Sequence, residues 1–371
     1  MDADIGQRVR ASIEALEPPR SHRDIAQAVM MKPDAFSRSL NGERAFSSIE
    51  ITRLADELGR DLHWLITGEE DPMRPRVAAR HFFDQEARSH HVPGRELDEA
   101  VLADIALAYR QAYPDETVRT LTKLPSSVAE IRGQLGPNFV RPFIDRVETC
   151  LSVDVVRISE ISTSYTLCMG PHTAIVIPAS GSWFYENWSI AHELGHIAAG
   201  DVDVNLPVAK RYEHETRANA FAAELLLPAS DIKRVNWRTI TETELAHRIW
   251  DYGVSVVALQ NRLATLRVGV SELISTWASK GTPSLLRIAG RNLDGSNEVE
   301  HAIAQRTRGA SERRFPLSLQ EAHMKRIALG ELGKDTLAWM LGVDPNLLEE
   351  VETPNESHTV DPDELAKLLE L

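Results

Sequence analysis

The chain has 371 residues, of which 43% are hydrophobic and 26% charged, so it has room for two or three globular domains. Its formal net charge of -14 argues against a surface covered along its whole length by nucleic acid. No run approaches the roughly eighteen apolar residues that span a bilayer, and the N-terminus lacks the features of a signal peptide. We therefore expect a cytoplasmic protein without a membrane partner.

The sequence contains two cysteines, Cys150 and Cys168, which do not have zinc-finger spacing. Two cysteines are too few for a disulfide framework, so we expect both to be reduced and structural. Any metal bound by this chain would then be held by histidine and carboxylate side chains.

Residues 1–70 have the pattern of five short helices. Pro33 suits the first turn of a helix, and Ser47 followed by Glu50 is a capping pattern. The predicted helices are Ile5–Leu16, His22–Val29, Pro33–Leu40, Ser47–Leu58 and Leu62–Ile66. The segment is predicted to form an N-terminal five-helix bundle.

The stretches Arg23–Ala26, Met31–Arg44 and Ile51–Gly59 resemble the helix-turn-helix of Cro/XRE-type repressors, and the resemblance covers nearly all of the bundle. It implies that the second helix of the motif enters the major groove of duplex DNA, with its early residues at the bases and its flanking residues on phosphates. The residues at these positions are Lys32, Asp34, Ala35, Ser37 and Arg38.

The charge of the bundle leaves an alternative open. Residues 20–44 carry five basic and three acidic side chains, but residues 1–72 carry nine bases against fourteen acids. A role in docking to another protein therefore competes with DNA binding, which rests on the motif and not on charge.

Residues 71–150 are predicted to be a helical linker, because prolines interrupt the pattern from Asp71 to Pro75. Leu97–Tyr113 has apolar residues at helical spacing, and a second helix is expected at Pro142–Leu151. No side chain here suggests chemistry, so the segment is expected to be a spacer or a surface for homodimerisation.

Three short runs with strand-like composition follow at Val153–Ile158, Ser164–Cys168 and Thr173–Ile177. A small sheet beside a metal-binding helix would allow an extended peptide to hydrogen-bond along an edge strand. Thr173–Ile177 is our candidate for that edge, the alternative being a buried strand that only supports the next helix.

The next helix, Trp188–Gly200, contains the most specific chemical pattern of the chain, His192-Glu193-Leu-Gly-His196. Residues four apart in a helix lie on nearly the same line, so the two histidines can bind one metal ion. The carboxylate in such a pattern is a general base for the attacking water and not a ligand. The helix is apolar nearly all round, which predicts buried imidazoles that need a polar partner. These features favour a zinc hydrolase over a chance arrangement on a solvated face.

A third ligand is expected in the following helix, Tyr212–Pro228. Glu215 lies on a stripe of small and apolar side chains and is predicted to point inward. Glu213 lies on the opposite face, with Arg217 at the spacing of a surface ion pair. We therefore predict Glu215 as the third ligand of Zn²⁺.

His214 has three open interpretations: a hydrogen-bond donor behind the metal site, an oxyanion stabiliser or an ordinary half-buried histidine. Tyr212 is the other candidate for oxyanion stabilisation. The sequence alone does not distinguish between them.

Together the two helices resemble the ImmA/IrrE-type metallopeptidases. The shared patterns are I-A-H-E-L-G-H and E-x-x-A-N-x-F-A-A-E-L-L-x-P, which cover Trp188–Pro228 closely. The chain departs from many members at Arg217, where they have an acid. The resemblance implies His192, His196 and Glu215 as zinc ligands and Glu193 as the general base.

Two further helices, Glu242–Tyr252 and Val256–Leu266, are expected to complete a zincin-like α+β metallopeptidase domain at residues 151–270. Residues 271–371 are predicted to be a helical C-terminal region whose role is not readable, with helices at Leu317–Leu332 and Asp335–Leu341. The predicted fold class is therefore mainly α with a small β-sheet.

Two functions from different classes follow. The first is a zinc-dependent endopeptidase that acts in transcriptional regulation by site-specific cleavage of a protein such as a helix-turn-helix repressor. The second is a DNA-binding regulator whose metallopeptidase fold only senses a metal or a peptide. Because the chain keeps Glu193 together with both histidines, we favour the enzyme.

Overall fold

A computed structural model describes residues 4–16, 18–69, 76–79, 82–84, 89–91, 95–116, 123–200, 208–290 and 299–348. Within these ranges the fold is mainly helical with a small β-sheet, which confirms the predicted fold class. The chain divides into two compact units, Met1–Arg74 and Pro75–Leu371. None of the described helices is both long enough and apolar enough to cross a membrane.

The first unit contains the five predicted helices. Their ends follow local hydrogen bonding: Ser21 and Ser47 each form a capping box, with Asp24 and Glu50 respectively, and Gly59 ends a helix in the left-handed conformation. The helices are α1 (Ile5–Glu14), α2 (His22–Ala28), α3 (Pro33–Leu40), α4 (Ser48–Leu58) and α5 (Leu62–Thr67).

A four-residue turn joins α2 to α3, as a helix-turn-helix requires. Met30 adopts a left-handed φ of 59° in this turn, and the amide of Met31 donates to the carbonyl of Ala26 at 2.8 Å. Phe36 is almost fully buried in the core of the unit, so one side of α3 faces inward and its opposite side is exposed.

The second unit is built on a four-stranded sheet whose spatial order is β1, β5, β6, β4. Strands β4 and β6 are parallel, whereas β5 pairs antiparallel with both β1 and β6. The strands are β1 (Arg76–Ala79), β4 (Asp154–Ile158), β5 (Tyr165–Met169) and β6 (His172–Pro178), and β2 (Phe82–Asp84) and β3 (Ser89–His91) form a separate two-stranded sheet.

The prediction that Thr173–Ile177 is an edge strand was wrong, because β6 lies between β5 and β4. The edge next to β5 is formed by β1, whose residues fall in the segment predicted to be a helical linker. At the other edge, Arg157 of β4 exchanges two backbone hydrogen bonds of 2.8 Å with Arg314. The order of strands along the chain does not reveal their order in space.

Helices cover both faces of this sheet, which explains why its strands are apolar without clear alternation. The helices of the second unit are α6 (Arg95–Ala112), α7 (Val128–Leu135), α8 (Phe143–Leu151), α9 (Trp183–Ala199), α10 (Val208–Leu226), α11 (Ala229–Lys233), α12 (Glu242–Tyr252), α13 (Val256–Thr265), α14 (Glu272–Lys280), α15 (Thr282–Ala289), α16 (Val299–Ser311), α17 (Leu317–Ala328) and α18 (Asp335–Leu341), followed by a 3-10 turn at Pro345–Leu347.

The two faces of the four-stranded sheet pack in two separate hydrophobic clusters. On the site face, Val155 and Ile175 pack in one cluster with α9, α10 and the helices from α12 to α16. On the back face, Val156 and Val176 pack in a second cluster with α6, α17 and α18. The site face therefore supports α9, which carries His192 and His196. The back face is covered by α6, which precedes β4 in the chain, and by α17 and α18, which follow β6.

One hydrophobic core contains residues from both sides of the domain boundaries that were predicted near residues 150 and 270. Ile131 and Val147, from the segment predicted as a linker, share the site-face core with Leu286 and Ile303 from the segment predicted as a C-terminal region. All four side chains are at most 4% exposed. Helical periodicity predicts that a helix has a buried face, but it does not identify the partner against which that face packs.

Candidate metal centre

Helix α9 is buried along most of its length. Ser182 caps its start by accepting from the amide of Tyr185, and Gly200 ends it with a left-handed φ of 71°. His192 and Glu193 have no exposed surface, and His196 is 6% exposed. Polar side chains buried to this degree require hydrogen bonds or a metal ion.

A buried ion pair attaches the first half of α9 to the sheet. Arg157 of β4 donates to both carboxylate oxygens of Glu186, at 2.6 and 3.0 Å. Burial raises the pKa of Glu186 above its ordinary value, although the neighbouring Arg157 acts in the opposite direction. The pair fixes α9 against β4 before the chain reaches the histidines.

Helix α10 approaches α9 closely at Gly195, the glycine of the H-E-L-G-H pattern. A methyl group at this position would lie 3.0 Å from the Cα of Ala218 and 3.1 Å from the Cβ of Phe221. These separations are shorter than the 3.5–4.0 Å or so of good carbon–carbon contacts. The missing side chain at Gly195 therefore lets α10 bring Glu215 up to the two histidines.

The two histidines and Glu215 form a compact triangle. His192 Nε2 lies 3.1 Å from His196 Nε2 and 3.2 Å from Glu215 Oε2, and His196 Nε2 lies 3.6 Å from Glu215 Oε1. Ligands bound about 2.1 Å from one tetrahedral zinc ion are separated by about 3.4 Å. The three side chains therefore fit the coordination sphere of a single ion. They are also the one group of this kind within the described residues.

The surroundings of Glu215 favour the ionised form of its carboxyl group. Burial by itself would raise its pKa, but hydrogen bonds with His192 and His196 outweigh burial and hold the pKa of Glu215 well below its ordinary value. The side chain is 13% exposed. It is therefore ionised at neutral pH and offers an anionic oxygen beside two imidazole nitrogens.

Asn219 lies one helical turn after Glu215 and orients His192. Its Oδ1 lies 3.2 Å from His192 Nδ1, while its Nδ2 donates to the backbone carbonyl of Glu215 at 2.9 Å. Because the amide oxygen can only accept, His192 Nδ1 carries a proton toward Asn219, so Nε2, which lies against Glu215, is the nitrogen available to a metal ion. Asn219 is the asparagine of the E-x-x-A-N pattern, but the sequence did not predict this role.

The carboxylate of Glu193 is held in place by a hydrogen bond from a residue of the sheet. Its Oε2 accepts a hydrogen bond of 2.7 Å from Thr166 Oγ1 of β5, and both residues have no exposed surface. The other oxygen, Oε1, has no hydrogen-bond partner among the described residues. The sequence singled out Glu193 but gave no signal for Thr166, which is separated from it by 27 residues.

The remaining candidates around the centre lie outside the triangle. Glu213, Arg217 and Tyr212 are exposed, and Tyr212 is 63% exposed. His214 is half-buried and is not part of the metal-ligand group. Of the two acidic residues in this turn, the structure brings Glu215 and not Glu213 to the histidines.

The residues predicted to contact DNA belong to the first unit. Lys32 immediately precedes α3, and the other four lie on that helix: Asp34, Ala35, Ser37 and Arg38. All five are exposed except Ala35, which is half-buried. Arg38 is close to Glu43, with 3.8 Å between Nε and Oε2, and both side chains are more than half exposed. This surface is accessible to a partner and carries both signs of charge.

Residues 154–264 match the family model described as the IrrE N-terminal-like domain. Comparisons of the chain with curated proteins and with solved structures gave no match. The matched segment contains β4, β5 and β6, the triangle on α9 and α10, and the helices α12 and α13. The family match and the geometry together support a metallopeptidase-type domain of the ImmA/IrrE kind in this part of the chain.

Proposed function

We propose that the second unit is a zinc-dependent endopeptidase. The observation that carries this proposal is the triangle of His192, His196 and Glu215, with Glu193 adjacent on the same helix. Two imidazoles and one carboxylate form the ligand set of many zinc hydrolases, which keep a further coordination position open for reaction. The absence of thiolate ligands also fits a catalytic site better than a structural one.

In this proposal the metal supplies Lewis-acid polarisation of the scissile carbonyl. The chain supplies the remaining functions. Glu193 removes a proton from the attacking water and returns it to the departing nitrogen, which requires one free carboxylate oxygen near the reacting atoms. Oε1 fits this task, because Oε2 is already bonded to Thr166.

The test of the reaction is Glu193→Gln. Losing a general base costs about 10²- to 10⁴-fold in rate, so cleavage should be nearly abolished. Zinc content should stay at about one ion per chain, because Glu193 is not a ligand. Zinc-loaded wild type and variant would be incubated with helix-turn-helix repressors encoded near this gene, and the fragments identified by mass spectrometry. Equal cleavage by both proteins would refute the proposal.

We further propose that the substrate is a folded regulatory protein, cut at one site. The first unit supports this, because a tethered DNA-binding module would raise the local concentration of the peptidase near a DNA-bound partner. A weak, selective active site is then sufficient. Cleavage at one position in a repressor, with no digestion of unfolded casein, is the expected result. Rapid digestion of casein would contradict it.

DNA binding by the first unit is supported by the α2-turn-α3 geometry and by the exposure of Lys32 and Arg38. Arg38→Ala should weaken binding to a selected duplex, and affinity should fall steeply as salt rises. Arg60→Ala, an exposed arginine outside α3, is the matched control. If a selection from random duplexes yields no preferred sequence, a protein-docking role for this bundle is favoured instead.

The alternative function is a regulator without proteolysis, in which the metallopeptidase fold senses a metal or a peptide. It predicts equal regulatory output in cells from wild type and Glu193→Gln, together with loss of output from His196→Ala. The buried hydrogen bond between Thr166 and Glu193 favours the enzyme, because a sensor needs the ligands but not an oriented general base.

A further inference from the structure

Thr166 is a fully buried hydroxyl on the site face of the sheet. It lies on β5, paired with Ile175 of β6, and the same face of these two strands also carries Ile177, Cys168 and Thr173. A valine would fill the same volume without a polar atom. A buried hydroxyl lowers the stability of the fold unless it is hydrogen-bonded, so the residue that accepts its hydrogen bond indicates why a threonine is present. That partner is Glu193 Oε2, at 2.7 Å.

The location of Thr166 makes it a rigid support. Strand β5 is bonded on both sides, to β1 and to β6, so its backbone is fixed by two ladders. A β-branched side chain has restricted rotation about χ1, particularly when buried. Glu193 by contrast has three rotatable bonds, and the hydrogen bond from Thr166 restricts them. The sheet therefore determines the position of a carboxylate carried by the helix.

We infer that Thr166 is a positioning residue for the general base, an inference that rests on the proposed peptidase activity. By fixing Oε2, Thr166 leaves Oε1 as the oxygen that meets the attacking water. General-base catalysis needs a heavy-atom separation of about 2.6–3.2 Å, and a misplacement of about 1 Å can cost on the order of 10²-fold in rate. Thr166 acts through Glu193, since the hydroxyl hydrogen-bonds to that carboxylate and not to His192, His196 or Glu215.

Three variants separate this role from ordinary packing. Thr166→Val keeps the shape and removes the hydroxyl, whereas Thr166→Ser keeps the hydroxyl. Thr173→Val is the matched control, because Thr173 is a buried threonine on the same face of the sheet whose hydroxyl is paired with the Cys168 sulfur, at 3.9 Å, and does not hydrogen-bond to Glu193. Zinc content and thermal unfolding would be measured for each.

The activity readout is cleavage of a proteome-derived peptide library, followed by kinetics on the best-cleaved peptide. Thr166→Val should lower kcat about 10- to 100-fold with little change in KM, and Thr166→Ser should recover most of the loss. Combining Thr166→Val with Glu193→Gln should cost no more than Glu193→Gln alone, because both changes act on one carboxylate. Thr173→Val should have wild-type kcat.

A second readout does not depend on turnover. Acetohydroxamate would be titrated into the cobalt-loaded protein and followed by visible absorption, since the acidic proton of a bound hydroxamate is accepted by the general base. Thr166→Val and Glu193→Gln should weaken its binding to a similar extent, and their combination should weaken it no further.

The outcomes distinguish this inference from the proposed function. If Glu193→Gln cleaves as well as wild type, the peptidase proposal fails. If Glu193→Gln is inactive but Thr166→Val retains full kcat and full hydroxamate affinity, the positioning role alone is overturned. An additive loss in the double variant, or an equal loss in Thr173→Val, would also overturn it by indicating a general packing defect.

Discussion

Replacing Gly195 with alanine should separate the two helices that form the metal centre. The added methyl would lie 3.0 Å from the Cα of Ala218 and 3.2 Å from its carbonyl oxygen. Those atoms belong to the backbone of α10, so no side-chain rotation can relieve the contact. To reach an ordinary carbon–carbon distance, α10 must move away by about 0.5–1 Å.

This movement is large compared with the tolerance of a metal site. Zinc–ligand distances vary by only about 0.2 Å, and Glu215 is carried by the helix that must move. We therefore expect zinc affinity to fall about 10- to 100-fold, as for other losses of ligand orientation. The metal-free protein should be affected less, because overpacking costs about 1–3 kcal/mol while alanine favours the helix by up to about 1 kcal/mol.

The assay is zinc competition with a calibrated chelator, together with urea unfolding of the metal-free protein. Gly133→Ala is the control, because Gly133 lies inside α7 and a methyl group there has no atom within 4 Å. The control should gain about 0.5–1 kcal/mol in stability and bind zinc as wild type does. Unchanged zinc affinity in Gly195→Ala would refute the reasoning that the glycine sets the distance between the helices.

Three other predictions follow from charged groups. His196→Ala should abolish stoichiometric zinc binding, whereas Glu213→Ala should retain it; metal analysis that found the reverse would reassign the ligands. Arg157→Met should destabilise the protein by about 3–5 kcal/mol by leaving Glu186 buried without its partner, and adding Glu186→Leu should recover much of that loss in urea unfolding. Burial raises the pKa of Asp154 above its ordinary 3.8, so the wild-type free energy of unfolding should fall as pH rises from 3.8 through that raised pKa. Asp154→Asn should therefore be more stable than wild type at pH 7 and should lose this advantage below pH 3.8.

Local patterns in the sequence predicted the local structure well. Helix α12 spans the predicted Glu242–Tyr252, and its start at Thr241 is fixed by a capping box that involves only neighbouring residues. The inward position of Glu215 followed in the same way, because a stripe of small residues lies on its side of α10. Such features depend on residues within one or two helical turns, and these can be read directly from the chain.

Features that depend on distant residues were missed. Thr166 contacts Glu193 only because β5 lies under α9, and β5 was expected to be a strand without any indication of the helix that covers it. Thr173–Ile177 was predicted as the edge strand, yet β1 (Arg76–Ala79) occupies the edge next to β5. A short apolar run between turn residues predicts a strand but does not identify the strands beside it in the sheet.

The same reasoning explains why the centre is more than its H-E-x-x-H pattern. The pattern specifies which atoms are available, but their positions are set by three contacts between different elements: Gly195 against α10, Asn219 against His192, and Thr166 against Glu193. Each contact fixes a different property, namely the distance between Glu215 and the histidines, the nitrogen that His192 directs toward the triangle, and the orientation of the Glu193 carboxylate. A helix that carried the pattern without these contacts would present the same side chains but would not hold them in one fixed geometry.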